Sequence, residues 1–240
     1  MPPADALRDR CRRNVEAVRD RVAEACRRAG RSPDEVTVIA VTKYAGPEIA
    51  RLLHEVGCRD LAESRPQSLW TKAEALADLE PPPRWHLVGH LQRNKIRRTL
   101  PLLTLLHSLD SLRLLEAIEA EGAAAGRVCR ALVEVNLTDD PGRTGATAAD
   151  AEALVAAAAS LGHVEVVGLM GMASVPDGDA SAARQEFARL RELRDRLRAA
   201  VPGGETLREL SMGMSGDFAE AILEGATLVR IGSAFFEGLS

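Results

Sequence analysis

Short apolar runs alternate with helix-patterned segments along the whole chain, and this alternation limits the fold more than any other feature. The runs are Val36–Val41, Arg59–Ala62, Trp85–Val88, Leu103–His107, Cys129–Val135, Val164–Met170, Leu207–Leu210 and Thr227–Ile231. Most are mainly apolar rather than clean alternators, as expected of strands in a parallel sheet covered by helices. Helical segments separate them at Pro47–Val56, Pro66–Leu79, Gln92–Arg98, Ser111–Ala124, Ala148–Leu161, Ala180–Ala200 and Gly216–Leu223. One further helix is predicted over 4–29, where Leu7, Cys11, Val15, Val18, Val22 and Cys26 recur three or four apart.

Eight strands joined by helices in 240 residues predict a closed (β/α)8 TIM barrel of the α/β class with an extra N-terminal helix. A doubly wound open sheet is the alternative. It favours a glycine-rich turn after the first strand, but Lys43-Tyr-Ala-Gly-Pro47 is not G-x-G-x-x-G. No linker or composition shift divides the chain, so residues 1–240 are expected to form one domain.

Composition removes several classes. With 46% hydrophobic and 28% charged residues the chain is expected to fold. A net charge of -4 argues against a general nucleic-acid binder. The longest apolar run, Ala153–Ala159, is far too short for a bilayer, and no secretion signal opens the sequence. Cys11, Cys26, Cys58 and Cys129 form no C-x-x-C pair and read as buried, reduced thiols, so a cytoplasmic location is expected.

Of 31 basic residues only Lys43, Lys72 and Lys95 are lysines. Each survivor raises the question of whether a primary amine is needed there; Lys72 reads as chance. Lys43 directly follows an apolar strand, at the end where barrels carry function. Partial desolvation there would lower its pKa and suit attack on an aldehyde, which arginine cannot perform. An ion-paired rim lysine is the plain alternative.

The ends of strands seven and eight carry Ser211-Met-Gly-Met-Ser215 and Gly232-Ser233. Small residues, hydroxyls and free backbone N–H groups suit a phosphate, which barrels often bind there; ordinary helix capping is the bland alternative. Arg230 sits in an apolar stretch and needs a partner, either a ligand heteroatom or a carboxylate such as Glu134 or Glu209. Amine, phosphate cradle and interior cation together suggest pyridoxal 5′-phosphate (PLP).

The motifs then resemble a known family. They are Val38-Ile-Ala-Val-Thr-Lys43, Arg84-Trp-His-Leu-Val-Gly-His-Leu-Gln-Arg-Asn-Lys95, His107-Ser-Leu-Asp110, Val133-Glu-Val-Asn136, Gly168-Leu-Met170, Glu209-Leu-Ser-Met-Gly-Met-Ser-Gly-Asp-Phe218 and Gly225-Ala-Thr-Leu-Val-Arg-Ile-Gly-Ser233. In this order they resemble the pyridoxal phosphate homeostasis protein family, the YggS/PROSC-type proteins. The resemblance implies a barrel like the N-terminal domain of alanine racemase, with PLP held as a Schiff base on Lys43. It places Ser211, Gly232 and Ser233 at the phosphate and Arg230 at the pyridine nitrogen. Ser64, His86, Asn136, Met170, Met212 and Ser215 complete the expected cofactor-binding set. The implied role is intracellular PLP homeostasis or carriage without turnover, with PLP-dependent apo-enzymes as possible recipients. A monomer is expected, with no nucleic-acid or membrane partner and no catalytic or metal-binding residue.

The chain departs from the family pattern at three places. Ala62-Glu-Ser-Arg65 stands where G-E-N-Y is usual, so Ser64 replaces an asparagine. Gly232-Ser233 replaces Gly-Thr and keeps the hydroxyl, and Tyr44 follows Lys43 without evident reason.

Other readings remain. A PLP-dependent racemase needs a second acid/base across the cofactor from Lys43, and Tyr44, the only tyrosine, is its sequence neighbour. A Schiff-base aldolase needs a nearby acid or base, which only Glu63 of the next loop offers. The cluster Gln92–Arg98 lacks the interleaved aromatics of a nucleic-acid site. His86 and His90 have metal-like spacing, but His86 lies on a strand with no companion motif.

Overall fold

A computed structural model describes residues 4–138, 142–174 and 179–239. Residues 1–3, 139–141, 175–178 and 240 of the expected 1–240 domain lie outside the described residues. The first half runs α1 (Ala4–Ala29), β1 (Thr37–Val41), α2 (Pro47–Glu55), β2 (Asp60–Glu63), α3 (Pro66–Ala75), β3 (Arg84–Leu87), α4 (Ile96–Thr99), β4 (Leu103–Leu109) and α5 (Leu112–Ala125). The second half runs β5 (Cys129–Val135), α6 (Ala148–Ala158), β6 (Val164–Gly171), α7 (Ala180–Ala200), β7 (Glu209–Ser211), α8 (Phe218–Leu223), β8 (Leu228–Ile231) and α9 (Ser233–Phe236).

The eight strands close into a barrel in sequence order. Every neighbouring pair is parallel, and β1 closes on β8 with Ile39 opposite Arg230. The predicted architecture is therefore the observed one. Local boundaries differ for local reasons. The seventh strand moves from the expected Leu207–Leu210 to Glu209–Ser211, because Leu207 caps a 3-10 turn at Gly204–Thr206, its N–H donating to the Gly204 carbonyl. The expected helix Gln92–Arg98 splits into a 3-10 turn, Arg93–Lys95, and the short α4. The terminal α9 is too brief to show a helical period.

Alternation along each strand builds two apolar layers. Ile39, Val41, Ala62, Leu105, Leu132, Val167, Met170 and Leu228 pack together inside the barrel. The intervening residues, such as Ala40, Leu61, Leu87 and Leu210, pack outward against the helices. The stripe Cys11, Val15, Val18, Val22 and Cys26 buries one face of α1, which lies against α8, α9 and α2. All four cysteines are buried and free. Burial raises the Cys58 and Cys129 thiols to about 12, so they are not poised as nucleophiles. Among the described residues no helix is long and apolar enough to cross a membrane.

Candidate functional site at the C-terminal rim of the barrel

Lys43 lies just beyond β1. It is exposed, and its Nζ sits 5.0 Å from the ring centroid of Tyr44, itself 87% exposed. The expected partial desolvation of Lys43 is therefore corrected: the strand ends at Val41 and the turn carries the amine into solvent. Tyr44 gains a physical account as an aromatic face for that cation.

The backbone beneath Lys43 is held from below. Lys72 donates to the Thr42 carbonyl at 2.7 Å and pairs with Glu63. The Thr42 hydroxyl donates to the same Glu63 oxygen at 2.6 Å. Thr42, Glu63 and Lys72 are all buried. Lys72 is thus no chance survivor. Its signal was legible: Leu69, Lys72 and Leu76 are three and four apart and share the buried face of the third helical segment.

Inside the barrel a polar chain crosses from β8 to β2. Arg230 donates through Nη1 to Ser211 Oγ at 2.7 Å and through Nη2 to the Gly171 carbonyl at 3.0 Å. Ser211 Oγ lies 2.9 Å from His107 Nδ1, and His107 Nε2 lies 3.0 Å from His86 Nδ1. His86 Nε2 reaches Asp60 Oδ1 at 3.1 Å, and Asp60 also pairs with Arg84. Sequence reasoning gave His107 no role. Burial, then His86 and Arg230, hold its imidazole well below the usual histidine range. Burial also lowers Arg230, to about 10, which leaves it charged at neutral pH. Neither Glu134 nor Glu209 pairs with Arg230; among the described residues no carboxylate does. Burial pushes the Asp60 carboxyl up, but hydrogen bonds from His86 and Arg84 outweigh it and hold the group low.

Ser211 ends β7 with its side chain fully buried. The expected rim hydroxyl is therefore an interior one, already engaged by Arg230 and His107. Met212 packs in the outer layer between strands and helices, because it falls on the opposite face from Ser211. The two glycine-bearing loops do meet. The Gly232 N–H donates to Ser215 Oγ at 3.3 Å. Gly213 holds φ +90°, and a Cβ there would sit 2.6 Å from the Ala221 Cβ. Gly232 is different: a Cβ would meet only Val41 atoms at 3.6 Å and beyond, so the chain itself does not demand glycine. Ser233 is exposed beside it. Helices α8 and α9 are only 6 and 4 residues long, so local N–H groups rather than a macrodipole would face an anion. Asp217, at the head of α8, accepts from the Met214 N–H at 2.5 Å while its Oδ2 is buried without a partner. Burial raises its pKa.

The remaining residues are spread around the rim. Met170 points into the barrel with the inner apolar cluster. Ser64 follows β2, its carbonyl pressed against Gly89, where a Cβ would come within 2.2 Å. Asn136 follows β5 and organises its own loop, accepting from the Thr138 amide at 2.9 Å. It lines a cavity of about 280 Å³ with Glu134, Thr144, Met172 and Met214. His90 is exposed and pairs with Asp110 at 3.6 Å, away from His86. Among the described residues no group of three or more His, Cys, Asp or Glu side chains is placed to hold a metal. In the basic cluster, Arg98 lies 4.3 Å and Lys95 5.5 Å from the Trp70 ring centroid.

Closure places β1 beside β8 and β8 beside β7. Lys43, Ser215, Gly232, Ser233 and Arg230 therefore share one sector. The sector offers an accessible amine, small-residue loops with hydroxyls, and a buried cation with no ionic partner among the described residues. Those features fit an aldehyde that carries a phosphate and a ring acceptor.

The profile described as "Alanine racemase, N-terminal domain" matches residues 13–239. The "Pyridoxal phosphate homeostasis protein" of Aquifex aeolicus (strain VF5) is 35% identical over 222 residues, covering 92% of this chain and 95% of its own. That of Pseudomonas aeruginosa PAO1 is 35% identical over 223 residues, covering 93% of each. This chain belongs to the pyridoxal phosphate homeostasis protein family. Among solved structures, PipY of Synechococcus elongatus PCC7942 with PLP bound superimposes with a TM-score of 0.80 at 33% identity, covering 90% of this chain and 99% of its own. An alanine racemase of Clostridium difficile 630 aligns with a TM-score of 0.75 at 13% identity, covering 95% of this chain and 56% of its own, which shows the shared barrel alone. For this member of the homeostasis family, the barrel and the family both agree with the reading of the sequence.

Proposed function

We propose that this member of the family binds PLP at the C-terminal rim and holds or delivers it. Lys43 is the Schiff-base lysine. Backbone N–H groups around Gly232, with the hydroxyls of Ser215 and Ser233, take the phosphate, and Arg230 faces the ring. PLP supplies an electrophilic aldehyde; the chain supplies the amine and the donors. The carrying observation is the convergence in one sector of Lys43, both small-residue loops and an Arg230 that pairs with no carboxylate among the described residues. PLP bound to PipY at 33% identity supports it.

Holding rather than turnover is supported by the rim. Lys43 and Tyr44 are both solvent-exposed, and Tyr44 adjoins Lys43 rather than opposing it. Open water access favours exchange over controlled carbanion chemistry. The wider reading is a cytoplasmic monomer whose recipients are PLP-dependent apo-enzymes, and the relatives' homeostasis names support that role. The racemase-like reading predicts measurable alanine racemisation by the loaded protein; none is expected.

The test is the absorbance spectrum with PLP, then borohydride reduction and peptide mass mapping. A visible band trapped on Lys43 is expected. No band, or label spread over other amines, would overturn the assignment.

A further inference from the structure

The interior polar chain has one direction that gives every link a donor and an acceptor and leaves no Ser211 hydrogen idle. Arg230 is a donor only, so Ser211 Oγ accepts from it. The Ser211 hydrogen then goes to His107 Nδ1. His107 carries its own proton on Nε2 and donates it to His86 Nδ1. His86 donates from Nε2 to the Asp60 carboxylate. Along this direction each link pairs one donor with one acceptor, and each imidazole carries its chain hydrogen on Nε2. The chain passes through β8, β7, β4, β3 and β2, and Ser211, His86, His107 and Arg230 are all buried.

Apolar side chains would fill that volume without desolvating a cation and a carboxylate. A fully satisfied polar chain instead fixes the orientation of its members. It ends on Arg230, the interior cation of the rim site. Gly171 fixes the second nitrogen of the same guanidinium, and two bonds leave other N–H donors for a ligand. Glu134 and Asp217 act on Arg230 electrostatically but do not pair with it.

We propose that Asp60, His86 and His107 are positioning residues that hold Ser211 and, through it, Arg230 for the bound PLP ring from the opposite end of the barrel. This rests on the reading of the rim as a PLP site with Arg230 facing the ring. Asp60 itself touches neither the rim loops nor Lys43.

Two variants and one measurement on the unliganded protein test it. Asp60→Asn keeps the shape and an acceptor for His86 but removes the terminal charge; His107→Leu cuts the chain. Both are expected to shift the visible band of bound PLP and to release PLP about tenfold faster, the equivalent of one hydrogen bond to a charged group. Nitrogen-15 NMR of the unliganded wild type at pH 7 is expected to show His86 and His107 as neutral Nε2–H tautomers. An Asp60→Asn protein that only melts earlier, with band and release rate unchanged, would overturn the proposal. So would an imidazolium or an Nδ1–H tautomer at either histidine. A wild type that takes up no PLP would sink the rim reading instead, and the NMR result would still decide the direction of the chain.

Discussion

Two of the three lysines in this chain divide one task. Lys43 presents its amine in solvent, and Lys72 anchors the carbonyl of the preceding residue, Thr42. Lys72 is buried with its acceptor Glu63. Removing one member of a buried pair strands the other charge, at a cost of about 3–5 kcal/mol. Lys72→Met is expected to lose that much in urea unfolding. The double variant Lys72→Met with Glu63→Gln is expected to recover most of it. Equal losses in single and double variants would show that packing, not the pair, matters there. Lys43→Ala should fold as the parent does and lose all borohydride-trapped PLP, because Lys72 is engaged below the rim and Lys95 lies against Trp70.

At the scale of elements, the connection from β7 to α8 depends on one backbone conformation. Gly213 combines φ +90° with a close approach to α8, where a Cβ would sit 2.8 Å from the Phe218 Cα. Any side chain must shift the loop, and strain of this kind costs roughly 1–3 kcal/mol. The same loop carries Ser215, which joins Gly232 of the next one. Gly213→Ala is therefore expected to lower the melting temperature and to speed PLP release together. Release unchanged in a destabilised variant would detach this loop from the phosphate.

At the scale of the whole molecule, the rim holds Glu134, Asp217 and Arg230 without an ion pair among the described residues. Burial raises the carboxyls of Glu134 and Asp217 and lowers Arg230. A carboxyl raised in the folded state destabilises once ionised, so its cost is full above the folded pKa and vanishes below the unfolded value. Glu134→Gln keeps an acceptor for the Thr144 hydroxyl, now 2.7 Å from Glu134. It is expected to raise the melting temperature at pH 7. The gain should fade as pH falls from the raised folded value through the ordinary carboxylate value of 4.5. A gain that persists in acid would point to packing rather than charge. A protein that tolerates such groups until a ligand arrives should also be stabilised by that ligand through mass action.

The order of elements was legible because it follows from local physics. Apolar runs such as Cys129–Val135 and the helical period of Ala180–Ala200 reappear with the same ends. Eight such units have few ways to bury both faces of a parallel sheet, so closure followed. The amine at Lys43 and the small-residue loops were legible because each is a local composition. What alternation along a strand could not convey was which neighbour each inward side chain meets. Ser211 read as a rim hydroxyl, and Met212 as its companion, until strand register turned one inward and the other outward. His107 had no local signal, since its meaning lies in His86 and Ser211, brought from 21 and 104 residues away. Hydrogen bonds across a closed barrel depend on how its strands are staggered, and that stagger exists only once the chain has folded.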